Sequence, residues 1–328
     1  MEAEEAVMED FGRALAAGPL VLDGGLSNAL ADAGHDLSDE LWSARLLVDA
    51  PEALVAAHRA YYEAGADVVI TAGYQASFAG FARRGIGRRA AERLLASSVA
   101  LARQAAATAA PAPGGRRRWV AASVGPYGAV LADGSEYRGR YGLSVAELTR
   151  FHRPRLAALA AAGPDVLALE TVPDADEARA LLAAVRGLGV PAWLSYTVAG
   201  GRTRAGQSLE RAFAVAAEVA EVVAVGVNCC APEEVGAAVR LASRVTGKPV
   251  VAYPNSGERW VAADRSWHGA GRGPAADAPG WVADGARLVG GCCRVGPDRI
   301  AELAARLTGY RAASEAAGGS GDGDGPSG

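Results

Sequence analysis

Four cysteines occur in the 328-residue chain, and they stand as two adjacent pairs, Cys229-Cys230 and Cys292-Cys293. Each pair closes an apolar run: Val222 to Val227 before the first, and Val289-Gly290-Gly291 before the second. Thiolates are the soft ligands that zinc prefers, and three of them with one open position form a tetrahedral catalytic site able to take up a further sulfur. Two neighbouring cysteines can share one ion where the backbone turns sharply, a freedom that Gly290-Gly291 would supply. Cys229 is the candidate third ligand. Two other readings stand beside this one: small apolar thiols lining a barrel core, and disulfide or redox chemistry.

The segments Gly226-Val227-Asn228-Cys229 and Gly290-Gly291-Cys292-Cys293 resemble the two zinc signatures of the homocysteine S-methyltransferase family. Ser123 to Gly128, Leu131 to Gly139, Phe151-His152-Arg153-Pro154-Arg155 and Tyr253 to Glu258 are similar to the branch of that family that uses S-methylmethionine. The resemblance extends from about Leu20 to about Leu307. It implies a Zn2+ enzyme making methionine from homocysteine, with S-methylmethionine as the favoured methyl donor and S-adenosylmethionine as a second. By the same resemblance the amides of Gly24, Gly25 and Leu26 hold the homocysteine carboxylate. Glu170 holds its ammonium, with Asp23 sharing it, and Asn255 occupies the fourth zinc position until substrate arrives. Cys230 has no counterpart in the motif. One departure stands out: relatives carry Thr-Glu-Leu after the glycine turn, where this chain reads Ser27-Asn28-Ala29-Leu30.

Those residues need a scaffold, and alternating apolar runs and amphipathic stretches provide it. Strands are expected at Pro19–Gly25, Asp67–Ala72, Trp119–Val124, Asp165–Glu170, Ala192–Thr197, Val222–Val227, Pro249–Tyr253 and Ala286–Val289, each followed by a helical stretch. Every strand is a continuous apolar run, as a parallel sheet covered on both faces requires. A single-domain (β/α)8 barrel over residues 19–311 is the expected fold. An open doubly wound sheet would want a Gly-x-Gly-x-x-Gly turn after its first strand, and none is present. Ser144-Val145-Ala146-Glu147 reads as a capping box opening a helix to Ala162, with a kink or break expected at Pro154. Residues 1–18 are expected as an acidic leader with a short helix. Residues 312–328, rich in Gly, Ser and Asp, are expected to be a disordered tail.

In such barrels, chemistry is built from the loops that follow the strands. Asp23-Gly24-Gly25, Thr71 to Phe78, Gly125 to Tyr127, Glu170-Thr171, Asn228-Cys229, Asn255 and Cys292-Cys293 all fall there, with the cysteines of the sixth and eighth strands near neighbours around the ring. A sulfonium donor is cationic, and aromatic faces attract such charge. Trp42, Tyr74 and Phe78 are the candidates for that role, with Tyr127 and Tyr137 as further options. The four histidines form no constellation and are expected mostly at the surface or in caps.

A net charge of -4 spread over helix faces leaves no electrostatic footprint for nucleic acid. Arg116-Arg117-Arg118 reads as a solvated surface cluster. No uninterrupted apolar run reaches the roughly 20 residues that span a bilayer. The acidic N-terminus is unlike a secretory signal, so a cytoplasmic setting with reduced thiols is expected. Partners are then small molecules, homocysteine and a sulfonium donor. Competing readings are betaine as donor, selenocysteine or selenohomocysteine as acceptor, and a zinc or thiol-redox binding module without turnover.

Overall fold

The computed structural model describes residues 2–38, 41–261 and 266–318. Eight parallel strands form one sheet: β1 (Leu20–Val21), β2 (Val68–Ile70), β3 (Trp119–Val124), β4 (Val166–Val172), β5 (Ala192–Tyr196), β6 (Val222–Asn228), β7 (Val250–Tyr253) and β8 (Ala286–Val289). Each pairs with its neighbour in sequence, β8 pairs with β1, and a parallel bridge between Leu22 and Val68 joins β1 to β2. The sheet therefore closes on itself as a (β/α)8 barrel, with helices between the strands.

The strands are apolar on both sides because each side is buried. Leu20, Leu22, Val68, Trp119, Ala121, Val166, Ala168, Trp193, Ala224, Val251, Tyr253 and Leu288 pack together in the lumen. The intervening residues, such as Val21, Val69, Val120, Leu167, Leu194 and Val225, pack outward with the helices. This period of two has a consequence at the far end. Carried forward, the lumen parity reaches Ser123, Glu170, Asn228 and Cys292, so polar groups arrive inside the barrel mouth.

The N-terminal end of the lumen is plugged. Helix Glu2–Ala17 inserts Phe11 and Leu15 among the lumen residues, and the Phe11 ring meets Trp119 edge-on, with centroids 5.1 Å apart. Arg117 lies 3.9 Å from the centroid of the Trp119 ring and pairs with Asp10 and Asp165. Arg116 pairs with Asp67 at 2.9 Å, and Arg118 donates to the carbonyls of Ala106 and Ala109. The arginine cluster stays at the surface, with Arg117 half exposed, but it is structural as well as solvated. Buried Asp67 and Asp165 accept the backbone amides of Val21 and Val120, and the arginines neutralise those carboxylates.

Other expectations change. Helix Val145–Ala161 has its capping box but runs through Pro154 without interruption, with Leu148, Leu156 and Leu159 buried on both sides of the proline. The last helix spans Pro297–Gly318, so residues 312–318, expected to be disordered, are helical; Ala312, Ala313, Glu315, Ala316 and Ala317 all favour helix. The remainder of that tail, 319–328, lies outside the described residues. Two antiparallel hairpins were not foreseen: Val198–Ala199 with Arg202–Thr203, and Arg259–Val261 with Ser266–His268. The first turns on Gly200-Gly201, both with positive φ, the two-residue turn that glycine pairs favour. Among the described residues, no helix is long and apolar enough to cross a membrane.

Candidate active site and metal centre

Cys229, Cys292 and Cys293 converge at the C-terminal mouth of the barrel, their sulfurs all within 4.8 Å of one another. Cys229 Sγ and Cys293 Sγ are 3.8 Å apart, close to the separation of about 3.8 Å expected for two sulfurs bound tetrahedrally at about 2.3 Å from zinc. By strand parity Cys229 would point outward after Asn228. Its left-handed backbone, φ 47°, reverses that and turns the side chain to the mouth. Cys230 then faces the helix layer, fully buried among apolar residues, where burial pushes its thiol up.

Three side chains hold the second cysteine pair in place. Asn255 Oδ1 accepts the Cys293 amide at 3.1 Å, and Asn28 Oδ1 accepts the Arg294 amide at 2.8 Å. Tyr61 donates to the carbonyl of Val295 at 3.2 Å. Backbone bonds from Cys292 to Pro254 and from Ser256 to Cys293 tie the loop to the end of β7. Gly290 and Gly291 serve differently from the expectation: neither has a positive φ, and the left-handed turn falls on Arg294, φ 66°. What they provide is close approach, since a Cβ on Gly290 would lie 2.5 Å from that of Leu22, and one on Gly291 2.2 Å from a Val295 methyl.

The thiols of Cys292 and Cys293 donate toward Cys229 and hold it well below the usual thiol range, while both of them are pushed up. Only a bound cation lets all three ionise together, so the donor set fits a metal that takes sulfur. Tyr137 adds a hydroxyl 3.2 Å from Cys229 Sγ. Outside it, Arg204 at the end of the first hairpin lies 5.5 Å from the Tyr137 ring centroid.

The sulfurs line a cavity open to solvent, whose walls include Gly24 to Asn28, Trp42, Tyr74, Tyr137, Glu170 and Tyr253. Glu170 accepts hydrogen bonds from Ser123 Oγ and from Tyr253 OH, the latter at 3.0 Å. Burial is the main reason its carboxyl is raised to about 7, and the two hydroxyls oppose that only in part. The next residue, Thr171, has φ 58°, a strained position pinned by Asn228, which accepts its amide and donates to its hydroxyl, each at 2.7 Å. Asp23 lies behind the wall: one oxygen accepts the Ile70 amide, the other is buried with no partner among the described residues, and burial pushes the carboxyl well up. The amide of Gly25 is bound to the Val295 carbonyl at 2.9 Å, whereas among the described residues those of Gly24 and Leu26 have no partner.

Likeness to known proteins decides the family. The sequence profile of homocysteine S-methyltransferase matches residues 20–307. The chain belongs to the homocysteine S-methyltransferase family. It is 46% identical over 293 residues to the homocysteine S-methyltransferase of Escherichia coli, covering 88% of this chain and 94% of that protein. The homocysteine S-methyltransferase YbgG of Bacillus subtilis is 40% identical over 294 residues, covering 87% and 93%. The metallated form of the homocysteine methyltransferase MmuM from Escherichia coli superposes with a TM-score of 0.79 at 43% identity, covering 88% of this chain and 96% of that one. Enzymes of this family use zinc, and Cys229, Cys292 and Cys293 form a three-sulfur donor set that could hold a metal ion.

Two sequence expectations fail on geometry. Phe78 opens helix Phe78–Arg83, packs on the core beneath Arg88 and does not line the cavity. His58 and His152 are buried, not at the surface, and burial lowers His58 to about 4. Sequence reasoning gave no role to Ser123, Tyr253 or Asn228. The period-two parity of their strands was the available signal.

Proposed function

We propose that this homocysteine S-methyltransferase moves a methyl group from S-methylmethionine to L-homocysteine, so that donor and acceptor both leave as methionine. Zinc, when bound, keeps the homocysteine sulfur ionised at neutral pH. The rest is alignment by the chain. The free amides of Gly24 and Leu26 take the homocysteine carboxylate, without the expected help of Gly25, whose N–H is already engaged. Glu170 takes the ammonium, with Asp23 behind the wall adding a second buried carboxyl: among the described residues neither has a cation beside it, and such a pair is matched to a positive ligand. That coincidence, three sulfurs and the buried Glu170 carboxyl around one cavity, carries the reading.

Trp42, Tyr74 and Tyr137 form the aromatic side of the cavity, where a sulfonium would rest with its methyl turned to the acceptor sulfur. The fourth-ligand role for Asn255 would use the second lone pair of the oxygen that accepts the Cys293 amide. Reduced thiols suit a cytoplasmic setting. The test is methionine formation from homocysteine with S-methylmethionine, S-adenosylmethionine and betaine in turn, alongside zinc analysis of reduced protein. Turnover with betaine alone would overturn the donor assignment, and protein without zinc would overturn the mechanism.

A further inference from the structure

Helix Val145–Ala161 carries side chains that reach neither the cavity nor solvent. His152 and Arg155 lie about one turn apart on it, and with Glu177 of helix Ala175–Val185 they are at most 1% exposed. The Arg155 guanidinium donates to the carbonyl of Ala76 at 3.2 Å, to the carbonyl of Gly125, and to His152 Nδ1 at 3.2 Å. A guanidinium only donates, so His152 Nδ1 accepts and the ring proton sits on Nε2. That nitrogen donates to Glu177 Oε1 at 2.9 Å, and the same oxygen accepts the Tyr127 amide at 2.6 Å. A buried cation and a buried anion are thus joined through a neutral imidazole, which burial keeps from charging.

Burying a full charge is expensive, and apolar packing would hold two loops together at lower cost. The recipients of these hydrogen bonds are informative. Ala76 lies in the loop after β2, while Gly125 and Tyr127 follow β3. Tyr74 sits on the seam between them, because a Cβ at Gly125 would lie 2.5 Å from the Tyr74 carbonyl oxygen and 2.7 Å from its ring. The ring rests directly on bare backbone and lines the cavity. Gln75 and Arg83 also link the two loops, but further along, at the carbonyls of Ala129 and Val130.

We propose that Arg155, backed by His152 and Glu177, is a positioning residue that sets Tyr74 against Gly125 and thereby fixes the wall that receives the methyl donor. The Phe151-His152-Arg153-Pro154-Arg155 segment then serves donor geometry rather than acid–base chemistry. The donor assignment rests on the proposed function; the loop geometry does not.

The test compares Arg155→Met, Arg155→Lys and Gly125→Ala with the parent, all loaded with zinc. Gly125→Ala displaces Tyr74 from the opposite side and leaves the buried charges intact. Expected are a loss of about 10- to 100-fold in kcat/KM for the sulfonium donor, as a wall misplaced by about 1 Å produces, and a homocysteine KM within about threefold of the parent. Amide hydrogen exchange should quicken in residues 72–78 and 125–131 of the Arg155 variants while zinc content holds. Combining Arg155→Met with Tyr74→Ala should cost little more than Tyr74→Ala alone. Equal losses toward both substrates, additive effects, or a lowered Tm with unchanged kinetics and exchange would overturn the proposal. If the parent turns over no sulfonium donor, the functional reading fails, and the exchange measurement still decides whether Arg155 positions the loops.

Discussion

Replacing Glu170 by glutamine should separate stability from binding with opposite signs. Burial raises this carboxyl from its ordinary value near 4.5 to about 7. At about 1.4 kcal/mol per pH unit, holding the ionised form in the empty site costs roughly 3 kcal/mol. The folded protein keeps this proton between about 4.5 and 7, where the unfolded chain has already lost it. The contribution of Glu170 to stability therefore declines as pH rises through that window and stays unfavourable above it. The amide of the E170Q variant has no such dependence and can still pair with Ser123 and Tyr253. Without substrate, E170Q should melt a few degrees higher than the parent at about pH 8 and show no advantage at about pH 4.5.

Homocysteine reverses the comparison. Its ammonium offsets the buried charge, so the parent should bind about 100-fold more tightly than E170Q above about pH 7, within the range for removing one partner of a buried charged hydrogen bond. Below about pH 7 that ratio should shrink about tenfold per pH unit, because the ligand must first expel the Glu170 proton. Thiol ionisation at the metal also depends on pH, but it is common to both proteins and cancels in the ratio. Titration calorimetry of homocysteine on zinc-loaded protein from about pH 5.5 to about pH 8.5 gives both curves. A ratio independent of pH, or an E170Q affinity equal to the parent's, would refute the assignment of the ammonium to Glu170.

Cys229→Ser, Cys292→Ser and Cys293→Ser should each lower bound zinc and abolish methionine formation, while Cys230→Ala keeps its zinc, as metal analysis after dialysis will show. Phe11→Ala empties the plugged end of the lumen and should lower stability by about 3–5 kcal/mol in denaturant titrations, with kcat unchanged because the mouth lies at the other end. Asn28→Ala releases the Arg294 amide beside the cysteine pair and should weaken zinc about 10- to 100-fold in chelator competition.

The barrel was legible because each strand is buried on both faces and so appears as an unbroken apolar run; β3 and β8 fall on the expected residues, and the other strands within a few. The hairpin at Val198–Thr203 is too short to carry an apolar pattern, though its Gly200-Gly201 turn was a readable signal. The role of the arginine cluster was hidden because its partners, Asp10, Asp67 and Asp165, lie 48 to 107 positions away in the case of Arg117 and 49 in the case of Arg116. Phe78 was misplaced for a related reason: proximity to a strand end says which loop a ring is on, not which way a short helix turns it.

The two ends of the barrel are built for opposite purposes. At the closed end Asp67 and Asp165 each accept a backbone amide and also meet an arginine, and the lumen is filled by Phe11 and Trp119. Toward the mouth, Asp23 also accepts a backbone amide, yet among the described residues its second oxygen has no partner and Glu170 is met by hydroxyls alone. Backbone strain follows the same division: Trp42, Thr171, Cys229 and Arg294, all with positive φ, border the cavity or the cysteine pair. Local strain of about 1–3 kcal/mol per residue persists only where the surroundings over-determine it. Here the closed end and the Asn228, Asn255 and Asn28 hydrogen bonds provide that determination. The strain at Cys229 then has a direct chemical consequence, since relaxing its φ to the strand region would return the sulfur to the helix layer and leave two sulfurs at the mouth for the proposed metal.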